Sequence, residues 1–132
     1  VFHLTDLTTR GIPAGVFFDR DLRGAAVLLH TGWDRHFGTP AYGSGSPFLE
    51  AEAVEHLVAA GVALVGIDSL NIDDTADMAR PVHTALLGAG IPVAEHLTGL
   101  SRLPDADFRF FAVPVKVRGM GTFPVRAFGL VE

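Results

Sequence analysis

The chain has 132 residues, of which 48 % are hydrophobic and 19 % charged, and its formal net charge at pH 7 is −5. This length suits one domain with a hydrophobic core, and an acidic chain without a Lys/Arg cluster argues against nucleic acid or anionic lipid as a partner. The sequence has no cysteine, so disulfides and thiolate nucleophiles are excluded, and any metal must be held by His, Asp or Glu.

The first predicted strand lies early in the chain. Residues 24–30 form an apolar run short enough for a buried strand, and the run ends at the turn-prone pair Thr31 and Gly32. Residues 34–47 are rich in glycine and proline and predict a long loop. No apolar run approaches the roughly 18 to 20 residues of a membrane span, so we expect a soluble, cytoplasmic protein.

The clearest predicted helix spans residues 46–61. Ser46 and Pro47 stand where the start of a helix favours a capping side chain and a fixed φ, and Gly61 provides the stop. An apolar run over residues 62–68 follows at once and predicts a second strand.

The later part of the chain predicts a polar loop, a short helix, a strand and a helical turn, over residues 70–79, 80–88, 91–95 and 97–103 respectively. After these elements, β-branched and aromatic runs joined by the sequence GMGT predict a hairpin over residues 108–131. The series of strands and helices followed by a hairpin predicts one α/β or α+β domain with a mixed sheet.

Four acids follow one another where the second strand meets the polar loop. Asp68 ends the strand, and Asp73, Asp74 and Asp77 come within the next nine residues. Their order lacks the glycine and the terminal glutamate of a calcium loop. We therefore interpret them as solvated turn and capping residues, although Asp68 at the strand end also remains a candidate for substrate binding.

His83 and Glu95 lie twelve positions apart in an apolar stretch. Between Pro81 and Leu100 the only other ionisable side chain is His96. A surface histidine and a salt-bridged glutamate would be the simplest interpretation. A buried glutamate without Lys or Arg nearby needs a partner from elsewhere in the fold, however, and a divalent cation is one candidate.

A second group of functional side chains follows the first predicted strand. His30, Trp33, Asp34, Arg35 and His36 lie in a segment punctuated by glycine. The segment is either a structural turn with Trp33 packed over the core, or a loop that shapes a small-molecule pocket. For the second case we predict that Trp33 and His36 bind the substrate.

Four segments of the sequence resemble, in order and spacing, the C-terminal part of the cyclase family of metal-dependent hydrolases, which includes bacterial kynurenine formamidase and isatin hydrolase. They are LLHTGWDRHFGT, GVALVGIDSLNID, RPVHTALLGAGIPVAEHLTGLSRLP and FRFFAVPVKVRGMGTFPVRAFGLV. The resemblance implies a swivelling β/β/α fold, a homodimer, and a zinc or manganese site that activates water to hydrolyse a small amide or cyclic carbonyl compound.

The same resemblance places the later pair of metal-site residues of the family on His83 and Glu95, where Glu95 either binds the metal or orients the water. The upstream motif His-x-Gly-Thr-His-x-Asp-x-Pro-x-His of the family is not found in the chain. We therefore expect a single cyclase-like domain over residues 1–132 whose natural N-terminus lies upstream, in a segment that carries this motif. The alternative is a binding or oligomerisation module that has lost the metal motif and does not catalyse a reaction.

Overall fold

The computed structural model describes residues 1–132 and centres on a four-stranded parallel sheet. The sheet has the strand order β1-β3-β5-β6 and contains β1 (Phe2–His3), β3 (Ala26–His30), β5 (Leu64–Ile67) and β6 (Val93–Ala94). The apolar runs predicted as buried strands form β3 and β5, because parallel strands covered on both faces need apolar side chains throughout.

Two smaller sheets complete the β-structure. The first pairs β2 (Gly11–Ile12) with β4 (Phe48–Leu49) in parallel. The second is the predicted hairpin, in which β7 (Phe108–Ala112) pairs antiparallel with β8 (Ala127–Val131). The α/β fold class with a C-terminal hairpin is confirmed, with the parallel and antiparallel pairings in separate sheets. The hairpin strands are shorter than predicted, and residues 113–126 form an exposed segment outside the paired strands, which we call the arm.

The two α-helices are α1 (Ala51–Ala60) and α2 (Pro81–Gly88). The prediction that α1 begins at Ser46 and Pro47 is wrong, because Phe48 and Leu49 pair with β2 as a strand. Its predicted end is confirmed, since Gly61 adopts a φ of 72° at the C-cap, a conformation that favours glycine. Neither helix is long and apolar enough to cross a membrane.

Four short 3₁₀ helices lie in the loops around the sheet, the first of them over Ala14–Phe17. Trp33–His36 and Pro40–Gly43 fall in the segment predicted as a glycine- and proline-rich loop. Leu100–Arg102 confirms the predicted helical turn. These turns hold the loop after β3 against the segment that follows β6, through a hydrogen bond from Gly99 N to Asp34 Oδ2 at 2.8 Å.

The side chains of β3 alternate between the two faces of the parallel sheet, so the hydrophobic core consists of two clusters. Val27 and Leu29 join the larger cluster, which also contains Leu57 of α1 and Leu86 of α2. Leu28 points to the other face and joins a smaller cluster against which the hairpin packs. Helices therefore cover one face of the sheet and the hairpin covers the other, which leaves the ends of the strands for other side chains.

Candidate metal-binding site at the strand ends

The parallel strands all end at the same edge of the sheet, and ionisable side chains stand at each end. β1 ends with His3 and β3 ends with His30, while Asp68 follows β5 and Glu95 follows β6. Ligands of open α/β sheets bind outside the carboxyl ends of the strands. This edge is therefore the candidate functional site.

The fold brings His83 and Glu95 together at this edge, as their predicted shared role requires. His83 comes from the first turn of α2, and its Nε2 lies 3.4 Å from Glu95 Oε1. The two side chains are mostly buried, and Glu95 Oε1 also accepts a hydrogen bond from the backbone N–H of Ile72 at 2.8 Å. The geometry therefore pairs an imidazole nitrogen with a fixed carboxylate oxygen.

Asp73 holds the histidine of this pair from the other side. Its carboxylate, only 1 % exposed, accepts hydrogen bonds from the backbone N–H groups of Val82 and His83 at 2.6 and 3.1 Å. It also lies 2.6 Å from His83 Nδ1. Asp73 thus caps the N-terminus of α2, and a proton on Nδ1 leaves Nε2 with a lone pair that faces Glu95.

This donor set fits a zinc or manganese ion. Two ligands of one tetrahedral zinc at about 2.0–2.2 Å lie about 3.3–3.6 Å apart, and the Nε2–Oε1 separation of 3.4 Å falls in that range. A histidine whose other ring nitrogen is held by a carboxylate is the common arrangement around metals in proteins. His83 and Glu95 supply two protein ligands, whereas a catalytic zinc usually has three.

Two residues beside this pair have a backbone conformation that favours glycine. Arg80, at the N-cap of α2, has a φ of 49°, and His96, directly after Glu95, has a φ of 58°. Arg80 Nη2 lies 3.1 Å from both ring nitrogens of His83. Left-handed backbone at a non-glycine residue costs about 1 kcal/mol or more, and such strain clusters at functional sites.

Asp68 was predicted to bind substrate, but its carboxylate is hydrogen-bonded to the turn that follows β3. It is fully buried, and its carboxylate accepts hydrogen bonds from the N–H and hydroxyl of Thr31 and from the N–H of Gly32, the shortest at 2.6 and 2.7 Å. Burial raises the pKa of Asp68, while the hydrogen bonds from Thr31 and Gly32 and the nearby His30 act to lower it. Asp68 therefore fixes the shape of the loop that carries Trp33.

Asp68 also belongs to a second cluster of possible metal ligands. One ligand atom each from His30, Asp34 and Asp68 lies within 4.8 Å of the others. All three side chains already have partners in the chain: Asp34 accepts from the backbone N–H of Gly99, and His30 Nδ1 lies 2.7 Å from His3 Nδ1. A cation in this cluster would have to compete with those hydrogen bonds. The His83–Glu95 pair also has partners, Arg80 and Ile72, so the preference for it rests on the 3.4 Å separation of its ligand atoms and on Asp73 behind His83.

The loop after β3 reaches the same edge through aromatic side chains. Trp33 Nε1 donates to the backbone oxygen of Tyr42 at 3.2 Å, and the rings of Trp33 and His36 lie 4.7 Å apart. The Tyr42 hydroxyl lies 3.1 Å from His96 Nδ1. The predicted substrate-binding residues Trp33 and His36 therefore pack on each other, and Tyr42 connects their loop to the strand end that carries Glu95.

The phenol of Tyr42 is held in its neutral form by this environment. Burial raises its pKa to about 12, with further contributions from the negative charges of Asp68, Glu95 and Asp34. Tyr42 is 8 % exposed as a residue. At neutral pH it therefore presents a protonated hydroxyl beside the site.

Sequence reasoning missed Asp73 and Tyr42 as parts of this site. Asp73 was grouped with the solvated acids of its loop, which holds for the exposed Asp77 but not for Asp73. One signal was present: α2 starts with Arg80 and Pro81, neither of which can cap a helix through a side-chain oxygen, so an acceptor had to come from elsewhere. Tyr42 lies in a glycine- and proline-rich segment that gave no such signal.

Comparison with known proteins supports this description of the fold. The family model described as "Putative cyclase" matches residues 12–74. Kynurenine formamidase of Salinibacter ruber is 35 % identical over 79 residues, which cover 60 % of this chain and 37 % of that protein. The corresponding enzyme of Sphingopyxis alaskensis is 29 % identical over 106 residues, or 80 % of this chain and 46 % of its own length.

Solved structures extend the likeness over nearly the whole chain. Isatin hydrolase A from Ralstonia solanacearum superimposes with a TM-score of 0.78 at 30 % identity, over 86 % of this chain and 48 % of that one. A predicted metal-dependent hydrolase from Bacillus stearothermophilus gives a TM-score of 0.78 at 26 % identity, over 98 % and 60 % of the two chains. The chain thus spans less than half the length of the curated relatives described above.

The fold is that of an α/β domain of the kind found in metal-dependent hydrolases. The resemblance to the cyclase family, predicted from four sequence segments, is confirmed by sequence and by fold.

Proposed function

We propose that the protein to which this chain belongs is a metal-dependent hydrolase, and that it cleaves a small amide or a cyclic carbonyl compound with metal-activated water. His83 and Glu95 would provide two of the metal ligands. The observation that carries the proposal is the 3.4 Å distance between His83 Nε2 and Glu95 Oε1, with Asp73 bound to the other ring nitrogen. The similarity to kynurenine formamidases and isatin hydrolases supports the substrate class.

A bound divalent ion would lower the pKa of its water and polarise the substrate carbonyl. Asp73 keeps His83 in the tautomer that can bind a cation, and the N–H of Ile72 orients the Glu95 carboxylate. Glu95 then either binds the ion or accepts the proton of the attacking water. The neutral hydroxyl of Tyr42 and the ring of Trp33 would then lie on the side of the site from which a small substrate approaches.

Several finer points remain predictions. They are the choice between zinc and manganese, the roles of Trp33, His36 and Asp68 in binding substrate, the homodimer, and the cytoplasmic location. The alternative is a binding or oligomerisation module without a functional metal site. Two ligands from one chain are compatible with either function, so metal binding decides between them.

Calorimetric titration of the 132-residue chain with Zn²⁺ and Mn²⁺ tests the metal site directly. We expect weak binding, because two ligands hold an ion poorly, and we expect no amide hydrolysis by this chain alone. NMR of the six histidines should show that His83 responds first to the metal. Tight zinc binding by the chain, or a response led by another histidine, would mean that the site has been assigned to the wrong residues.

Joining the chain to an upstream segment that carries the missing His and Asp ligands should restore tight binding and formamide hydrolysis. In that protein, Glu95→Gln keeps the shape of the side chain but removes its charge, so metal affinity or turnover should fall by orders of magnitude while the fold survives. His56→Gln, on α1 and far from the strand ends in sequence, is the matched control and should change little. Full activity in the Glu95→Gln protein would exclude a catalytic role for the pair.

A further inference from the structure

Arg80, at the N-cap of α2, places its guanidinium over the face of the His83 ring. Its Nη2 lies 3.1 Å from Nδ1 and 3.1 Å from Nε2 of that ring. An atom in the ring plane at this distance from both nitrogens would collide with a ring carbon, so the guanidinium stacks on the ring, as arginine does on aromatic faces. The in-plane directions of the two nitrogens therefore stay open to Asp73 and Glu95.

The backbone of Arg80 is held in place by three hydrogen bonds. Its carbonyl accepts from the N–H and the hydroxyl of Thr84 at 3.0 and 2.9 Å, and its N–H donates to the carbonyl of Asp77 at 3.3 Å. These bonds keep φ and ψ at 49° and 57°, although Pro81 favours extended backbone at the residue before it. A conformation of this kind persists only where the surrounding structure holds it, so the fold fixes the point from which the Arg80 side chain starts.

The positive charge of Arg80 has no acidic partner. Asp74 pairs with Arg10 at 3.1 Å, and Asp77 accepts from the N–H of Ala79, so the two exposed acids of the preceding loop bind other groups. A guanidinium has five N–H donors and stays charged in proteins. Because Arg80 is exposed, its donors that do not contact the ring are available to a ligand.

A cation in this position opposes the binding of a metal ion by the same histidine. Arg80 Nη2 lies 3.1 Å from His83 Nε2, and a ligating nitrogen stands about 2 Å from a zinc ion, so the two positive charges would be at most about 5 Å apart. Even at the dielectric constant of water, this repulsion lowers metal affinity by about tenfold. A cation stacked on an exposed ring stabilises it by only about two- to fivefold. Arg80 therefore does not serve the ion itself.

The reaction proposed for the site produces an anion that would reverse this balance. Hydrolysis of an amide joins the water oxygen to the carbonyl carbon and breaks the C–N bond. One water proton goes to the leaving nitrogen, and the acid that forms loses the other at neutral pH, which gives a carboxylate. Arginine binds carboxylates through two parallel N–H donors. Arg80 is the only arginine or lysine in contact with His83 or Glu95.

We propose that Arg80 is the anion-binding residue of the site and takes a carboxylate, either that of the product or one that the substrate already carries. The inference rests on the proposed function, because the anion would lie between Arg80 and a metal ion held by His83. Arg80 then selects anionic ligands over neutral ones and weakens the hold on the ion until an anion is present. Metal and anion binding are thereby coupled, and each strengthens the other by the same factor.

Zinc titrations followed by the NMR signals of the His83 ring test this coupling. In the unmodified chain, excess sodium formate should tighten zinc binding by about fivefold or more, whereas the neutral amide formamide should leave it unchanged. Without an anion, Arg80→Gln should bind zinc about tenfold more tightly than the unmodified chain, and formate should then change its affinity by less than about twofold. A purely structural role of Arg80 would not raise one affinity and abolish the other effect.

Two further variants and one further ligand sharpen the experiment. Arg80→Lys keeps the charge and should resemble the unmodified chain in zinc affinity. Arg23→Gln removes an exposed charge before the start of β3, at the opposite end of that strand, and should change neither affinity. Succinamate is an amide with its own carboxylate. A larger effect of succinamate than of formate assigns the substrate's carboxylate to Arg80, and the reverse assigns the product.

A direct signal comes from the unmodified chain, in which the Nε–Hε NMR signal of Arg80 should shift when formate is added to the zinc-loaded protein. No shift, equal zinc affinity of Arg80→Gln and the unmodified chain, or a formate effect that survives in that variant overturns the role of Arg80 and leaves the metal site standing. His83 signals that do not respond to zinc at all overturn the metal site and this inference together, so the two failures are distinguishable.

Discussion

Replacement of Asp73 by asparagine tests the link between the fold of α2 and the metal site. The carboxylate accepts two backbone N–H groups, those of Val82 and His83, and the ring proton of His83. Asparagine keeps one acceptor oxygen and places an NH₂ group against one of these donors. Loss of the cap costs about 1 kcal/mol, loss of the negative charge at the N-terminus of the helix about 0.3–1 kcal/mol, and an unsatisfied buried donor about 1–3 kcal/mol.

The free energy of unfolding of Asp73→Asn should therefore fall by about 3 kcal/mol, which lowers the melting temperature by roughly 10 °C for a chain of this size. Because His83 loses the group that fixes its tautomer, zinc affinity should also fall by about 10- to 100-fold. Urea unfolding and calorimetric titration measure the two effects separately.

Asp77→Asn is the matched control for this experiment. Asp77 lies in the same loop and is exposed, and its carboxylate accepts only from the N–H of Ala79 at 2.9 Å. Its replacement should change stability by no more than about 0.5 kcal/mol and leave zinc affinity unchanged. Equal effects of the two variants would refute the reasoning. A loss of stability without a loss of zinc affinity would mean that Asp73 caps the helix but does not support the metal site.

Three further predictions concern other parts of the fold. Tyr42 is the only tyrosine, so ultraviolet absorbance should titrate with a pKa near 12 in the folded protein and near 10 in urea. Since the folded state holds this proton more tightly, the contribution of Tyr42 to the free energy of unfolding should be fully present below pH 10 and be lost as the pH rises towards 12. The loss should be about 1–2 kcal/mol, because solvent near the hydroxyl weakens the effect. Urea unfolding of Tyr42→Phe should show no such loss. Gly66→Ala should lower stability by about 1–3 kcal/mol in thermal unfolding, because the new methyl would lie 2.7 Å from Leu97 and 2.8 Å from Leu28, and an unchanged melting temperature would contradict this packing.

Elements whose signals are local could be predicted from the sequence. The run that forms Leu64–Ile67 is apolar throughout, and the helix Pro81–Gly88 starts with proline, so both lie where the sequence predicted them. His83 and Glu95 could be paired from the resemblance to the cyclase family, and between Pro81 and Leu100 the only other ionisable side chain is His96. Nothing in the comparisons tests their role as ligands, which stays a prediction.

Features that depend on distant residues could not be predicted. Phe48 and Leu49 read as the first turn of a helix, yet they form a strand because Gly11 and Ile12 offer a parallel partner 37 residues earlier in the chain. The burial of Asp73 is of the same kind, since only the folded loop brings its carboxylate to the start of α2. Pairing and burial across such separations override local propensity.

The left-handed backbone at Arg80 and His96 lowers the free energy of unfolding of the domain. Glycine or asparagine would relieve about 1 kcal/mol or more at each position, and stabilising changes of this kind are readily reached by mutation. Selection for stability alone would therefore replace these two residues over generations. In descendant sequences, the amino acids at positions 80 and 96 should record whether the neighbouring His83 and Glu95 were still in use.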